Sequence, residues 1–276
     1  MNIPIAAEPI LEIGHFTVTN AYINSTLVTL IIVVFAFVFS RNLKPIPGRL
    51  QAAVESLVEF LLGYFDQVTG SREKSKRFFP LVGTLFIFIL LSNWLGLLPG
   101  TGSIGRWLSV GGEIEFVPVL RSANSDLNLT LAMALVSVIT SHLIGMFTLG
   151  FFTHWNKFIQ LGRLWKAIKK INFMDILTAL VQFGVGLLEL VSEVAKILSL
   201  SLRLFGNIFA GEVLMTVISS LISFFVPLPF MALELIVGVI QATVFAMLTL
   251  VYLTTMTTSH DSHDEKHEVG HAPAHA

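Results

Sequence analysis

Residues 175–225 read DILTALVQFGVGLLELVSEVAKILSLSLRLFGNIFAGEVLMTVISSLISFF, and residues 229–259 read PFMALELIVGVIQATVFAMLTLVYLTTMTTS. As single helices rising 1.5 Å per residue, they would be roughly 75 Å and roughly 45 Å long. The hydrocarbon of a bilayer is about 30 Å thick, so neither stands upright within it. Strong tilt, a break or interfacial ends must absorb the excess, and Pro227 and Pro229 mark a tight connection between the two. The pattern predicts a long, slanted helical hairpin.

Six charges interrupt this apolar pair: Glu189, Glu193, Lys196, Arg203, Glu212 and Glu234. A charge at the bilayer centre costs about 2.5 to 3.5 kcal/mol on insertion scales, so such residues face a protein interior or a water-filled path. At 100° per residue, Glu189, Glu193, Lys196, Arg203 and Asn207 fall within about 40° of one line down the helix. Glu212 points roughly 140° away from that line. On the next helix Glu234, Gly238, Gln241, Phe245 and Tyr252 share a second stripe. Two separate wet surfaces on a dry hairpin are expected. The plainer alternative is that Glu189 or Glu193 pairs with Lys196 at helical spacing and only ties helices together. For Arg203 that alternative is weaker. No carboxylate lies three or four residues away on either side, and its guanidinium stays charged near neutral pH.

The rest of the chain agrees with a bilayer as solvent. Of 276 residues, 54% are hydrophobic and only 13% charged, too little polar surface to cover a water-soluble globule of this size. Upright spans are expected at 22–40, 78–98 and 127–152, the first closed by Arg41, Lys44, Pro45 and Pro47, the second by Pro99, Gly100 and Gly102. At 48–69 apolar residues recur at helical spacing but Gln51, Glu55, Glu59 and Asp66 interrupt them, which predicts an amphipathic interfacial helix. The remaining pieces are an external N-terminal segment, 1–21, and a polar tail, 260–276. The fold class expected is an all-α integral membrane protein forming a single membrane domain over 1–276.

The basic segments around Arg41–Arg49, Arg72–Arg77 and Lys157–Lys170 belong on the cytoplasmic side by the positive-inside rule. That puts the acidic N-terminus and the 100–126 loop outside and the C-terminus inside. Glu8 and Glu12 precede an apolar run that starts only near Tyr22, so no cleavable signal is expected and the first span stays in the chain. There is no cysteine, which excludes disulfides, thiolate nucleophiles and cysteine-ligated metals.

The stretch Leu198-Ser-Leu-Ser-Leu-Arg203-Leu-Phe-Gly-Asn207-Ile-Phe-Ala-Gly-Glu212 resembles the signature of subunit a of the F-type ATP synthase. Ser92-Asn-Trp-Leu-Gly-Leu-Leu-Pro99, Ala123-Asn-Ser-Asp-Leu-Asn-Leu-Thr130 and Gln241-Ala-Thr-Val-Phe-Ala-Met-Leu-Thr-Leu-Val-Tyr-Leu253 extend the resemblance from about Ile23 to Thr258. It implies a stator subunit of the membrane sector in a bacterial plasma membrane. Such a subunit works against a ring of c subunits whose carboxylates carry the ion, with peripheral-stalk b subunits and the rest of the complex as partners. The family arginine would be Arg203, a fixed positive charge that favours deprotonation of each approaching carboxylate and separates two aqueous half-channels.

The resemblance further implies that Glu212, Glu234, Asn207 and Gln241 line the outer half-channel. In many relatives one of the positions held by Glu212 and Glu234 is histidine, whereas here both are glutamate, so the two carboxyls should push each other's proton affinities apart. Glu189, with Ser192 and Glu193, is the candidate set for the inner half-channel. Asp126 and Asn128 are candidates for the outer mouth, with helix capping as the alternative.

An ion-coupled secondary transporter is the rival function, but no internal repeat stands out. A membrane hydrolase lacks HExxH, GxSxG and a cysteine. His260, His263, His267, His271 and His275 would form a histidine face if the tail were helical, although a short polar tail with Gly270 and Pro273 reads more simply as disordered. No cofactor, resident metal or nucleic-acid partner is expected: 17 basic residues balance 18 acidic ones, and the 23 phenylalanines suit helix packing and lipid. The transported ion is H⁺ in the commoner case of the family and Na⁺ in the other.

Overall fold

A computed structural model describes residues 9–13, 16–98, 105–110, 113–151, 173–222 and 225–258. Six α-helices account for most of them: α1 (Asn20–Arg41), α2 (Arg49–Thr69), α3 (Arg72–Leu97), α4 (Leu127–Leu149), α5 (Phe173–Leu221) and α6 (Pro227–Thr257). The fold is therefore all-α in substance. The N-terminal segment and the segment expected as a loop at 100–126 carry small antiparallel hairpins, β1 (Pro9–Ile13) with β2 (Phe16–Thr19) and β3 (Gly105–Val110) with β4 (Glu113–Pro118). Both segments are short and rich in β-branched and aromatic residues, and two-stranded pairing satisfies their backbone groups.

α1, α3, α4 and α6 are long and apolar enough to cross a membrane by length and composition. α5 runs 49 residues as one element, so the long stretch is not broken between Phe173 and Leu221. Pro227 opens α6 and Pro229 lies in its first turn, where a missing N–H costs nothing. The basic cluster Lys157–Lys170 and the histidine tail lie outside the described residues.

Within the apolar helices, several hydroxyls are satisfied locally. Thr26, Thr29, Thr84, Thr148, Thr243 and Thr255 each donate to the carbonyl four residues earlier, as a side chain in hydrocarbon must. From Leu30 to Val38, α1 exposes Leu30, Ile31, Val33, Val34, Phe35, Phe37 and Val38. An exposed band of that size is what a helix offers to lipid.

The chain divides into two compact units, Met1–Val136 with Ile197–Leu250 and Ser137–Lys196 with Val251–Ala276. In the first, the amphipathic α2 buries Leu61, Leu62 and Phe65 while α3 buries Phe78, Val82 and Phe86. The Phe65 and Phe79 rings lie 5.8 Å apart. Gly70, at φ 67°, ends α2 in the left-handed conformation, and Arg72 beyond it donates to Asp66 and Glu59 of α2.

A buried polar seam fixes the segment that follows β4. Asn24 of α1 donates to the Arg121 carbonyl at 2.5 Å. Asn124 donates to the Ile89 carbonyl at 3.2 Å and to Asn93 Oδ1 at 2.7 Å, both on α3. Gly96 is required here, because a Cβ on it would fall 2.7 Å from Ser122 Cβ and 2.8 Å from Ser122 Cα. α3 in turn meets α6: Trp94 Nε1 donates to the Leu235 carbonyl at 3.3 Å, and Asn93 Nδ2 reaches the Gly238 carbonyl at 3.5 Å.

Candidate functional site

In the first unit the polar residues of α5 fall on two faces. Arg203 is exposed, as are its apolar neighbours Leu198 and Leu202 and the following Gly206 and Asn207. Its guanidinium makes one contact among the described residues, Nη2 to Ser199 Oγ at 3.4 Å, and no carboxylate of the described residues pairs with it. A permanently charged group standing on an apolar helix face requires an anion from elsewhere.

The other face points inward. Glu212 accepts from Arg121 Nε with both oxygens, at 2.8 and 3.0 Å. The Arg121 side chain is only 4% exposed and its guanidinium carbon also lies 6.0 Å from the centre of the Phe209 ring. Glu234 of α6 is buried, and its carboxyl abuts Gly211, the residue before Glu212. A Cβ on residue 211 would collide with all three carboxyl atoms of Glu234. Among the described residues no cation or hydrogen-bond donor engages the Glu234 carboxyl. Gln241 lies two turns further along α6 and is half-buried.

In the second unit Glu193 is buried, with Lys196 Nζ at 2.6 Å from Oε1 and His142 Nε2 at 3.3 Å from Oε2. The Lys196 ammonium also stands 5.4 Å over the Tyr252 ring. The pairing of Glu193 with Lys196 anticipated from spacing is present, and an imidazole from α4 joins it. Glu189 is half-buried and Ser192 exposed. Asp126 is buried and accepts from the backbone N–H of Asn128 at 3.0 Å and from its side chain at 3.2 Å, so the two residues cap the start of α4.

Three participants are not singled out by the sequence reading. Arg121 reads as one charge in a mixed loop, because nothing local shows that its loop is buried. His142 is an ionisable residue inside an apolar run, and the rule that singles out the α5 charges would have found it. Gly211 becomes conspicuous only once Glu234 is seen beside it.

The family model described as ATP synthase A chain matches residues 22–254. A protein named ATP synthase subunit a from Moorella thermoacetica is 29% identical over 91% of this chain and 96% of its own length. One from Desulfotalea psychrophila is 33% identical over 81% and 80%. A third, from Propionigenium modestum, named ATP synthase subunit a, sodium ion specific, is 31% identical over 91% and 78%.

Proposed function

Since the chain belongs to the ATP synthase A chain family and is a multi-pass membrane protein, we propose that it is the stator of a rotary motor, passing ions to and from the carboxylates of a c-subunit ring through two offset half-channels. The observation that carries this reading is Arg203: an exposed guanidinium on an apolar helix face with no carboxylate of the described residues to neutralise it. A ring carboxylate passing that face supplies the missing anion, and the fixed charge promotes release of its ion.

The outer half-channel is assigned to Glu212, Glu234, Asn207 and Gln241, with Asp126 and Asn128 near its mouth; Glu193 and His142, with Glu189 and Ser192, serve the inner one. The N-terminus faces outward and the C-terminus the cytoplasm of a bacterial plasma membrane. The b subunits hold the stator against rotation. The chain moves ions and does no covalent chemistry; each charge crossing 100 mV delivers about 2.3 kcal/mol to rotation.

The test is ATP-driven acidification of inverted vesicles carrying the whole complex, with Arg203→Ala compared to the native chain at matched assembly and ATPase content. Loss of pumping is expected; undiminished pumping would remove Arg203 from this role. The sodium-specific relative motivates a second reading, in which Na⁺ replaces H⁺. Sodium uptake by the same vesicles, without acidification, would establish it.

A further inference from the structure

The two glutamates of the outer site have different surroundings, and that difference carries an assignment resting on the reading above. Arg121 is buried and its guanidinium keeps its charge at any working pH. Glu212 meets that charge with both carboxylate oxygens on Nε, so a proton placed on Glu212 gives up a charge-assisted contact with a buried cation. Glu234 is buried where Glu212 is half-buried, and it faces the Gly211 backbone with no cation of the described residues upon it.

The position of Arg121 is itself determined by the fold. Its carbonyl is held by Asn24, the next residue packs against the bare Cα of Gly96, and Asn124 is clamped between Ile89 and Asn93. Elements α1 and α3 therefore anchor residues 121–124, and from that anchor the Arg121 guanidinium reaches Glu212 of α5, preorganised before any ion arrives.

We propose that Arg121 is a positioning residue for ion transfer: it holds Glu212 as a fixed anion, so that the travelling proton is carried by Glu234. Glu212 then shapes the potential and orders water, while Glu234 alternately takes up and gives up the proton. The balance is one proton in from the outer water and the same proton out to the ring carboxylate, with no net change on either glutamate.

A purely structural arginine and a positioning one differ in a rescue experiment. In inverted vesicles with the intact complex, Glu234→Gln is expected to slow ATP-driven acidification by about a hundredfold, the usual scale for a lost proton relay. Adding Arg121→Gln frees Glu212 to accept a proton, and the double variant is expected to regain about tenfold over Glu234→Gln alone. Adding Arg121→Lys instead keeps the cation and gives no recovery. If Arg121→Gln prevents assembly, the uncharged Arg121→Met makes the same comparison. A double variant no faster than Glu234→Gln at matched assembly overturns the proposal. So does native pumping by Glu234→Gln, and if Arg203→Ala still blocks pumping then, the stator reading stands without this assignment.

Discussion

Gly211 and Glu234 occupy one space: the carboxyl of Glu234 fills the volume that any side chain at residue 211 would take. A helix crossing that brings a buried carboxyl onto a neighbouring backbone depends on the missing Cβ. It also sets the Glu234 carboxyl beside the residue preceding Glu212.

Gly211→Ala should therefore displace Glu234 or part α5 from α6. Overpacking of this kind costs about 1–3 kcal/mol. We expect the complex to assemble in reduced amount and, per assembled complex, to pump about tenfold more slowly, as a misplaced relay group does. Vesicle acidification normalised to ATPase content is the measurement; an unchanged rate would show that the carboxyl position is not limiting.

Gly96→Val should act through packing and removes no charge. Its added carbons would enter Ser122 and push the 121–126 segment off α3, weakening the seam that aims Arg121 at Glu212. A loss of about 1–3 kcal/mol is expected, read as a lower midpoint for thermal unfolding of the purified complex. Asn93→Leu should cost a similar amount by leaving the Asn124 amide without its 2.7 Å acceptor.

Glu193 holds two nitrogen partners in the second unit, the Lys196 ammonium and the His142 imidazole. Glu193→Leu leaves Lys196 facing Tyr252 with no anion from this carboxyl, and breaking a buried pair by removing one partner costs about 3–5 kcal/mol. The part-exposed Lys196 brings the expected loss toward the lower end. Pairing this change with Lys196→Met should recover part of the loss; a double variant as unstable as the sum of the two singles would mean that the groups are not coupled.

The Ser75 hydroxyl and the Arg72 guanidinium hold the Asp66 carboxyl below its usual range. A lowered folded value means that the contribution is complete above the unfolded value near pH 4 and disappears as pH falls through the folded one. The α2–α3 junction should thus be insensitive to pH from neutrality to about 5 and loosen only in stronger acid. Hydrogen exchange at the Gly70 amide, which donates to the Asp66 carbonyl, reports it. Asp66→Asn should flatten that acid response, and because the cluster is only half-buried, salt should weaken it at every pH.

Much of the architecture was legible in the chain because a bilayer imposes a strong rule: every spanning backbone must satisfy itself, so long apolar runs become helices. The runs at 22–40, 78–98 and 127–152 correspond to α1, α3 and α4, and the interrupted run at 48–69 to α2, with shifts of a few residues at their ends. Prolines and charges marked several boundaries because neither continues an apolar helix cheaply, but α3 starts at Arg72, within the basic patch, and carries Pro80 inside it. The two hairpins were not legible, since short strands in a polar loop lack the periodicity that would separate them from coil.

For the candidate site, sequence alone singled out Arg203, Glu212 and Glu234, because an ionisable group in an apolar run is costly wherever its helix lies. It did not decide their partners. Only the tertiary structure leaves Arg203 exposed with one serine contact among the described residues, gives Glu212 to Arg121 from 91 residues away, and lays Glu234 on Gly211. The reason is physical: helical spacing reports which side of one helix a charge occupies, whereas the charge that answers it is chosen by how separate helices and a buried loop pack together.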